Sequence, residues 1–207
     1  MVDFLFSMEN NVSMEKNPLR QELYDLIETH VYRYSPESFE LASGQKSHHY
    51  FNCKEIMMYP RRMDVCIRYI FSIHIPKHIV NLPDAIGGLT LGADPLAYGV
   101  AQEFFRNSLQ IYPLVVRKEA KGHGTRKRIE GAVEKVSSCL VIDDVITTGG
   151  STLKAVQALR EAGKTVDTGI CIIDREEGGI ENLEKEGVTI FPLFQKSEFV
   201  KAGREVE

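Results

Sequence analysis

The sequence has no apolar run of about 18 residues, the length that a membrane-spanning helix needs. It has no CxxC pair. Cys53, Cys66, Cys139 and Cys171 are scattered, which removes the spacing of zinc sites and redox motifs and leaves buried, reduced thiols as the expectation. It has no excess of positive charge: 25 Lys and Arg stand against 29 Asp and Glu, a net charge of -4, so a general nucleic-acid binder is not expected. Gly-X-Y and heptad bias are absent, which excludes a fibre, and there is no internal repeat. Neither common nucleotide loop is present, whether Gly-x-Gly-x-x-Gly or Gly-x-x-x-x-Gly-Lys-Ser/Thr. Met1 to Phe6 lack the basic and long apolar parts of a secretory signal, so a cytoplasmic protein is expected.

What is present is ordinary globular material. Hydrophobic residues at 43% and charged residues at 26% are enough for a core and a solvated surface. The 207 residues suit one domain, read here as a polar tail over 1–16 and a single domain over 17–207. Asn17-Pro18 reads as a helix start, and Leu19, Leu23, Leu26, Ile27 and Val31 keep the helical period. Tyr50-Phe51 marks a short strand, and a helix follows Pro60. Ala85-Ile86 reads as a strand stopped by Gly87-Gly88. Helical spacing returns over Pro95 to Phe105, Thr152 to Ala162 and Ile180 to Glu186, the last two closed by Gly163 and Gly187. Between them lie the β-rich runs Ile111 to Val116, Cys139 to Ile142, Val166 to Ile173 and Val188 to Leu193. Strands alternating with helices predict an α/β fold with a mostly parallel central sheet flanked by helices. Ligands of such sheets bind beyond the carboxyl ends of the strands.

One strand end stands out. The run from Cys139 leads through Asp143 and Asp144 into Thr147, Thr148, Gly149, Gly150 and Ser151, and then a helix. Glycines let backbone amides converge on an anion, the helix N-terminus adds partial positive charge, and the hydroxyls add donors. That is a cradle for a monophosphate, and the adjacent acids suit ribose hydroxyls. The stretch resembles the phosphoribosyl-pyrophosphate (PRPP) signature of type I phosphoribosyltransferases. The resemblance implies that family's fold, with a small N-terminal hood and a flexible catalytic loop. It implies that Asp143 and Asp144 hold the ribose hydroxyls and that Thr147 to Ser151 hold the 5′-phosphate.

A second segment follows the run ending at Val116: Arg117-Lys118-Glu119-Ala120-Lys121-Gly122-His123-Gly124-Thr125-Arg126-Lys127-Arg128. A basic, glycine-bearing loop in an acidic protein suits a lid over an anion, and lysines and arginines would stabilise departing diphosphate. Its first eight residues are similar to the catalytic loop of orotate phosphoribosyltransferases. That resemblance implies diphosphate contacts from Arg117, Lys118, Lys121 and His123, with Lys121 the main electrophile and Asp144 and His123 beside it in catalysis. It also implies Mg²⁺ carried by the PRPP oxygens rather than a protein metal site, and a homodimer in which each loop serves the neighbouring subunit.

Three further stretches resemble the same family. Phe39 to Asn52 is similar to its orotate hood, which brings in Lys46, Tyr50 and Phe51. Gly87 to Pro95 is similar to its diphosphate loop, and Arg175, just after a strand, is placed to pair bidentately with the orotate carboxylate. Ala42 and Leu91 stand where many members carry lysine, with Lys46 placed to compensate. The implied function is the conversion of orotate and PRPP to orotidine 5′-phosphate and diphosphate, without nucleic-acid or membrane partners. The rivals are transfer to another base and a non-catalytic PRPP-sensing regulator.

Overall fold

The computed structural model describes residues 17–40, 46–119 and 128–200. Helix α1 (Pro18–Leu26) starts as its sequence predicts. The Asn17 side chain accepts hydrogen bonds from the Leu19 and Arg20 amides at 2.9 and 3.3 Å, and Pro18 sits in the first turn, where its missing N–H costs nothing. The chain continues through a π-helical turn, Ile27–Val31, and buries Leu23, Ile27 and Val31. It then forms an antiparallel pair, β1 (Tyr32–Glu40) and β2 (Lys46–Phe51), at the place expected for the hood. Only β2 is foreseen from sequence. In β1 the register shifts between Tyr34 and Phe39, across Ser35-Pro36-Glu37-Ser38, and the two-residue alternation is lost.

Three helices lead on to the main sheet: α2 (Lys54–Met57), α3 (Pro60–Tyr69) and, after a second π-helical turn, α4 (Ile75–His78). The main sheet has six strands, β3 (Ala85–Leu89), β4 (Tyr112–Val116), β5 (Ile129–Gly131), β6 (Cys139–Ile146), β7 (Thr168–Asp174) and β8 (Thr189–Gln195). Their order is β5-β4-β3-β6-β7-β8, with every neighbouring pair parallel except β4 and β5. Helices α5 (Asp94–Arg106), α6 (Gly150–Glu161) and α7 (Gly179–Lys185) connect the parallel strands. Along β6 the side chains alternate between two apolar layers. Leu140 and Ile142 join the layer of α1, α3 and α5, and Cys139 and Val141 join that of α6 and α7. All four cysteines are free and buried, and burial pushes the Cys66 and Cys139 thiols up to about 12.

One expectation is corrected here. Gly87 and Gly88 do not stop β3; they lie inside it. A Cβ at Gly87 would run into the Leu114 carbonyl of β4, and one at Gly88 into the Ile142 carbonyl of β6. The glycines let the middle strand sit close to both neighbours. From β3 the chain crosses to β4 on one side, while β6 lies on the other. The carboxyl ends of β3 and β6 therefore flank a topological switch point, where a crevice opens.

Candidate active site

The acids come first. Alternation along β6 carries Asp143 to the α6 side, where Thr152 meets it: Thr152 Oγ1 donates to Asp143 Oδ2 at 2.7 Å, and the Asp144 amide donates to Oδ1 at 3.0 Å. Asp143 is 5% exposed. Asp144 Oδ1 accepts from the Val145 amide at 2.9 Å. Burial raises both carboxyls above the ordinary carboxylate range, and for Asp143 the charge of Asp144 adds to it. The Val145 amide and the Lys54 ammonium pull Asp144 the other way.

The turn after β3 closes over these acids. A Cβ at Gly92 would lie 2.8 Å from Asp144 Cγ and 3.2 Å from Asp143 Oδ1, so the absence of a side chain there keeps the carboxylates in place. In the same turn Thr90 Oγ1 donates to Asp94 Oδ2 at 2.6 Å, and the Thr90–Leu91 peptide is cis.

Beyond the acids the chain turns through Thr147 and Thr148 into α6. Gly149 has φ +80, a left-handed conformation that suits glycine at a helix N-cap. A cavity of about 220 Å³ is lined by Val145 to Thr152 and by Lys154. Hydroxyls, amides and the helix N-terminus therefore face one small space, as the sequence predicts. Lys154 is missed by the sequence reading. Its signal is its spacing three residues after Ser151, which puts both on one face of α6.

At the end of β4, Arg117 pairs with Glu130 of β5, with Nε and Nη2 at 3.0 and 2.9 Å from Oε1. Its amide donates to the Arg128 carbonyl at 2.8 Å, so the two ends of the basic loop are held together. Lys118 is exposed beyond it. Lys121 and His123 lie outside the described residues.

The hood meets the sheet at Arg175, directly after β7. This side chain is 3% exposed, and its Nη2 donates to Ser47 Oγ and to the His49 carbonyl, each at 3.0 Å. Of the hood residues named from sequence, Lys46 and Tyr50 are exposed. Phe51 is buried among Tyr32 and Phe199, its ring 5.2 and 5.6 Å from theirs. The structure thus brings Asp143, Asp144 and Thr147 to Ser151 to one sheet edge with the β3 turn, and ties Arg175 to the hood.

Similar proteins identify the family and the fold. A family model described as "Phosphoribosyl transferase domain" matches residues 53–195. An orotate phosphoribosyltransferase of Leptospira biflexa is 53% identical over 180 residues, covering 87% of this chain and 97% of that protein. One from Aquifex aeolicus is 42% identical over 182 residues, with the same coverage. Among solved structures, Mycobacterium tuberculosis orotate phosphoribosyltransferase in complex with PRPP is 27% identical, covers 88% of this chain and 99% of that chain, and superposes with a TM-score of 0.69. The six-stranded, mostly parallel sheet is accordingly the type I phosphoribosyltransferase fold, and the chain belongs to the orotate phosphoribosyltransferases.

Proposed function

We propose the following division of labour for the family's reaction, in which orotate and PRPP give orotidine 5′-phosphate and diphosphate on the route to pyrimidine nucleotides. The observation that carries it is the pair of acids on β6, Asp143 buried and Asp144 half-buried, followed directly by a hydroxyl- and glycine-lined cavity at a helix N-terminus. Asp143 and Asp144 take the ribose hydroxyls, whose donated hydrogen bonds favour the charged carboxylates. Thr147, Thr148, Gly149, Gly150 and Ser151 take the 5′-phosphate. A ring nitrogen of orotate attacks the anomeric carbon as diphosphate leaves, and positive charge develops on the sugar. Carboxylates next to that charge stabilise it, so positioning and electrostatics supply the catalysis. The turn after β3 offers amides to the diphosphate, with Arg117, Lys118, Lys121 and His123 of the basic loop assigned there by their sequence. For orotate the residues are Arg175 and, in the hood, Lys46, Tyr50 and Phe51.

Magnesium fits the acids. The carboxylate oxygens of Asp143 and Asp144 are the hard donors it prefers, and oxygens of PRPP and water would complete its shell. Its contribution when bound is to neutralise charge on the diphosphate.

The homodimer is supported by an apolar patch beside the site. Leu91, Tyr98 and Phe105 are 71, 51 and 77% exposed. Tyr98 and Phe105 share a face of α5, and Leu91 lies in the turn that leads into it. A second copy seated there would lie next to the β3 turn. A cytoplasmic location is part of the same reading, and among the described residues no helix is long and apolar enough to cross a membrane.

The direct test mixes the protein with PRPP, Mg²⁺ and a panel of bases, and follows nucleotide and diphosphate. Orotate should be consumed and purines and uracil left. Nucleotide formed from a purine, with orotate untouched, would overturn the assignment. Gly92→Ala is a second test. Its methyl group would push the Asp144 carboxylate aside, and a displacement near 1 Å can cost about 100-fold in rate. Steady-state kinetics should show that loss with the melting temperature nearly unchanged. Wild-type turnover would separate the β3 turn from the chemistry.

A further inference from the structure

Arg175 does not stand free to clamp a carboxylate. Besides Ser47 and His49, its Nη2 pairs with Glu177 Oε1 at 3.0 Å. Glu176 adopts a left-handed φ of +55, and Glu177, two residues beyond Arg175, pairs with it while the Glu176 carboxylate accepts from the Ser197 amide. Both planar forks of a guanidinium include Nη2, one with Nε and the other with Nη1. With Nη2 shared among three protein acceptors, neither fork is available whole. Arg175 Nε is buried without a hydrogen-bond partner among the described residues, and so is Glu177 Oε2. The bidentate pairing expected from sequence therefore has no place in this geometry.

Resting on the reading that Arg175 meets orotate, we infer that Glu177 is a specificity-determining residue: as the resident counter-ion of Arg175 it prevents this arginine from acting as a general carboxylate receptor. It acts in two ways. Together with Ser47 and His49 it occupies the nitrogen common to both forks, and it compensates the guanidinium charge in a place where burial would otherwise make that charge costly. What remains for the substrate is separate donors on Nε and Nη1 rather than a whole fork. Separate directed bonds select by the position of acceptors on the ring, whereas a bare buried cation would select for any small anion. Among the described residues the ionisable groups that bear on the guanidinium are Glu177 and the Tyr50 hydroxyl. Glu177 lies on its own turn, and Ser47 and the His49 carbonyl reach it from β2 as neutral acceptors.

Glu177→Gln isolates the charge, because the amide oxygen can still accept from Nη2. The probes are benzoate and acetate, tested as inhibitors competing with orotate. Wild-type enzyme should be nearly insensitive to both. The Gln variant should be inhibited at concentrations at least about 10-fold lower, the size of one charge-assisted bond of about 1.5 kcal/mol. Glu177→Ala removes the acceptor together with the charge and should be more sensitive still. Should it fold poorly, its melting temperature should recover on adding benzoate. Adding Arg175→Ala to either variant should abolish the new inhibition. Unchanged benzoate inhibition in both Glu177 variants would overturn the inference while leaving the orotate role of Arg175 intact. If Arg175→Ala alone left the KM for orotate unchanged, the underlying reading would fall, and the inference with it.

Discussion

Asp144→Asn is expected to lower turnover while making the ligand-free protein more resistant to heat above neutral pH. Exchanging a carboxylate for an amide weakens charge-assisted bonds worth about 1.5–3 kcal/mol, so activity should fall roughly 10- to 150-fold. The stability effect follows from burial. Both acids, in the carboxyl-terminal half of β6, have carboxyls raised above their ordinary range. A raised acid holds its proton more tightly in the folded chain than in the unfolded one. The stabilisation from that proton is fully present below the ordinary carboxylate range, near pH 4, and is lost as pH climbs through the raised value. Above that window the wild-type chain carries the cost of buried negative charge, and the amide does not. Asparagine can also keep the local bond, its oxygen accepting from the Val145 amide as Asp144 Oδ1 does. Melting curves from about pH 4 to pH 9 should converge at the acidic end and separate at the alkaline end. A variant less stable than wild type throughout would mean that the acid serves the fold.

The second large effect concerns Lys121 and the subunit arrangement. Lys121 stands between Ala120 and Gly122 in the basic loop, and its assignment rests on sequence. A cation that meets diphosphate mainly as it departs stabilises the transition state more than bound substrate. Removing such a contact typically costs about 100- to 1,000-fold in turnover, so Lys121→Ala should reduce kcat by that order with little change in KM. If each loop serves its neighbour, Lys121→Ala and Asp144→Asn subunits should complement. A heterodimer places both substitutions in one site and neither in the other. Mixing the two weak variants under conditions of subunit exchange should restore about half of wild-type activity per heterodimer. No restoration, with exchange shown independently, would assign each loop to its own subunit.

The parts of this molecule that are legible in its sequence are those where local chemistry and fold ask for the same residue. Asn17 caps α1 because its side chain reaches the next amides whatever the rest of the chain does. Gly163 and Gly187 both have positive φ after helices, as their positions predict. Asp143 to Ser151 can be read because a buried strand has no local reason to carry two acids toward a glycine turn, although the strand itself runs on to Ile146. Where packing decides, the sequence misleads. Gly87 and Gly88 read as punctuation, yet they are demanded by strands that adjoin β3 only in the folded state. The Asp174-to-Gly179 stretch reads as an arginine placed to clamp a substrate carboxylate, whereas Arg175 is buried and already paired with Glu177. Lys154 is one lysine among many until α6 sets it on the wall of the cavity at that helix's own N-terminus.

The aromatic cluster around Phe199 has a consequence for synthesis. Phe199 stacks on Tyr24 at 4.7 Å and touches Tyr32 and Phe51, so the late part of the chain forms the floor on which α1 and the hood rest. Phe51 and Phe199 are separated by roughly 150 residues, and translation adds about 5–20 residues per second. The hood is made early yet must wait on the order of ten seconds for its support. During that interval Tyr24, Tyr32 and Phe51 are apolar surface without their final partner. The nascent chain is most exposed to mispairing in the segment that makes α1 and the hood.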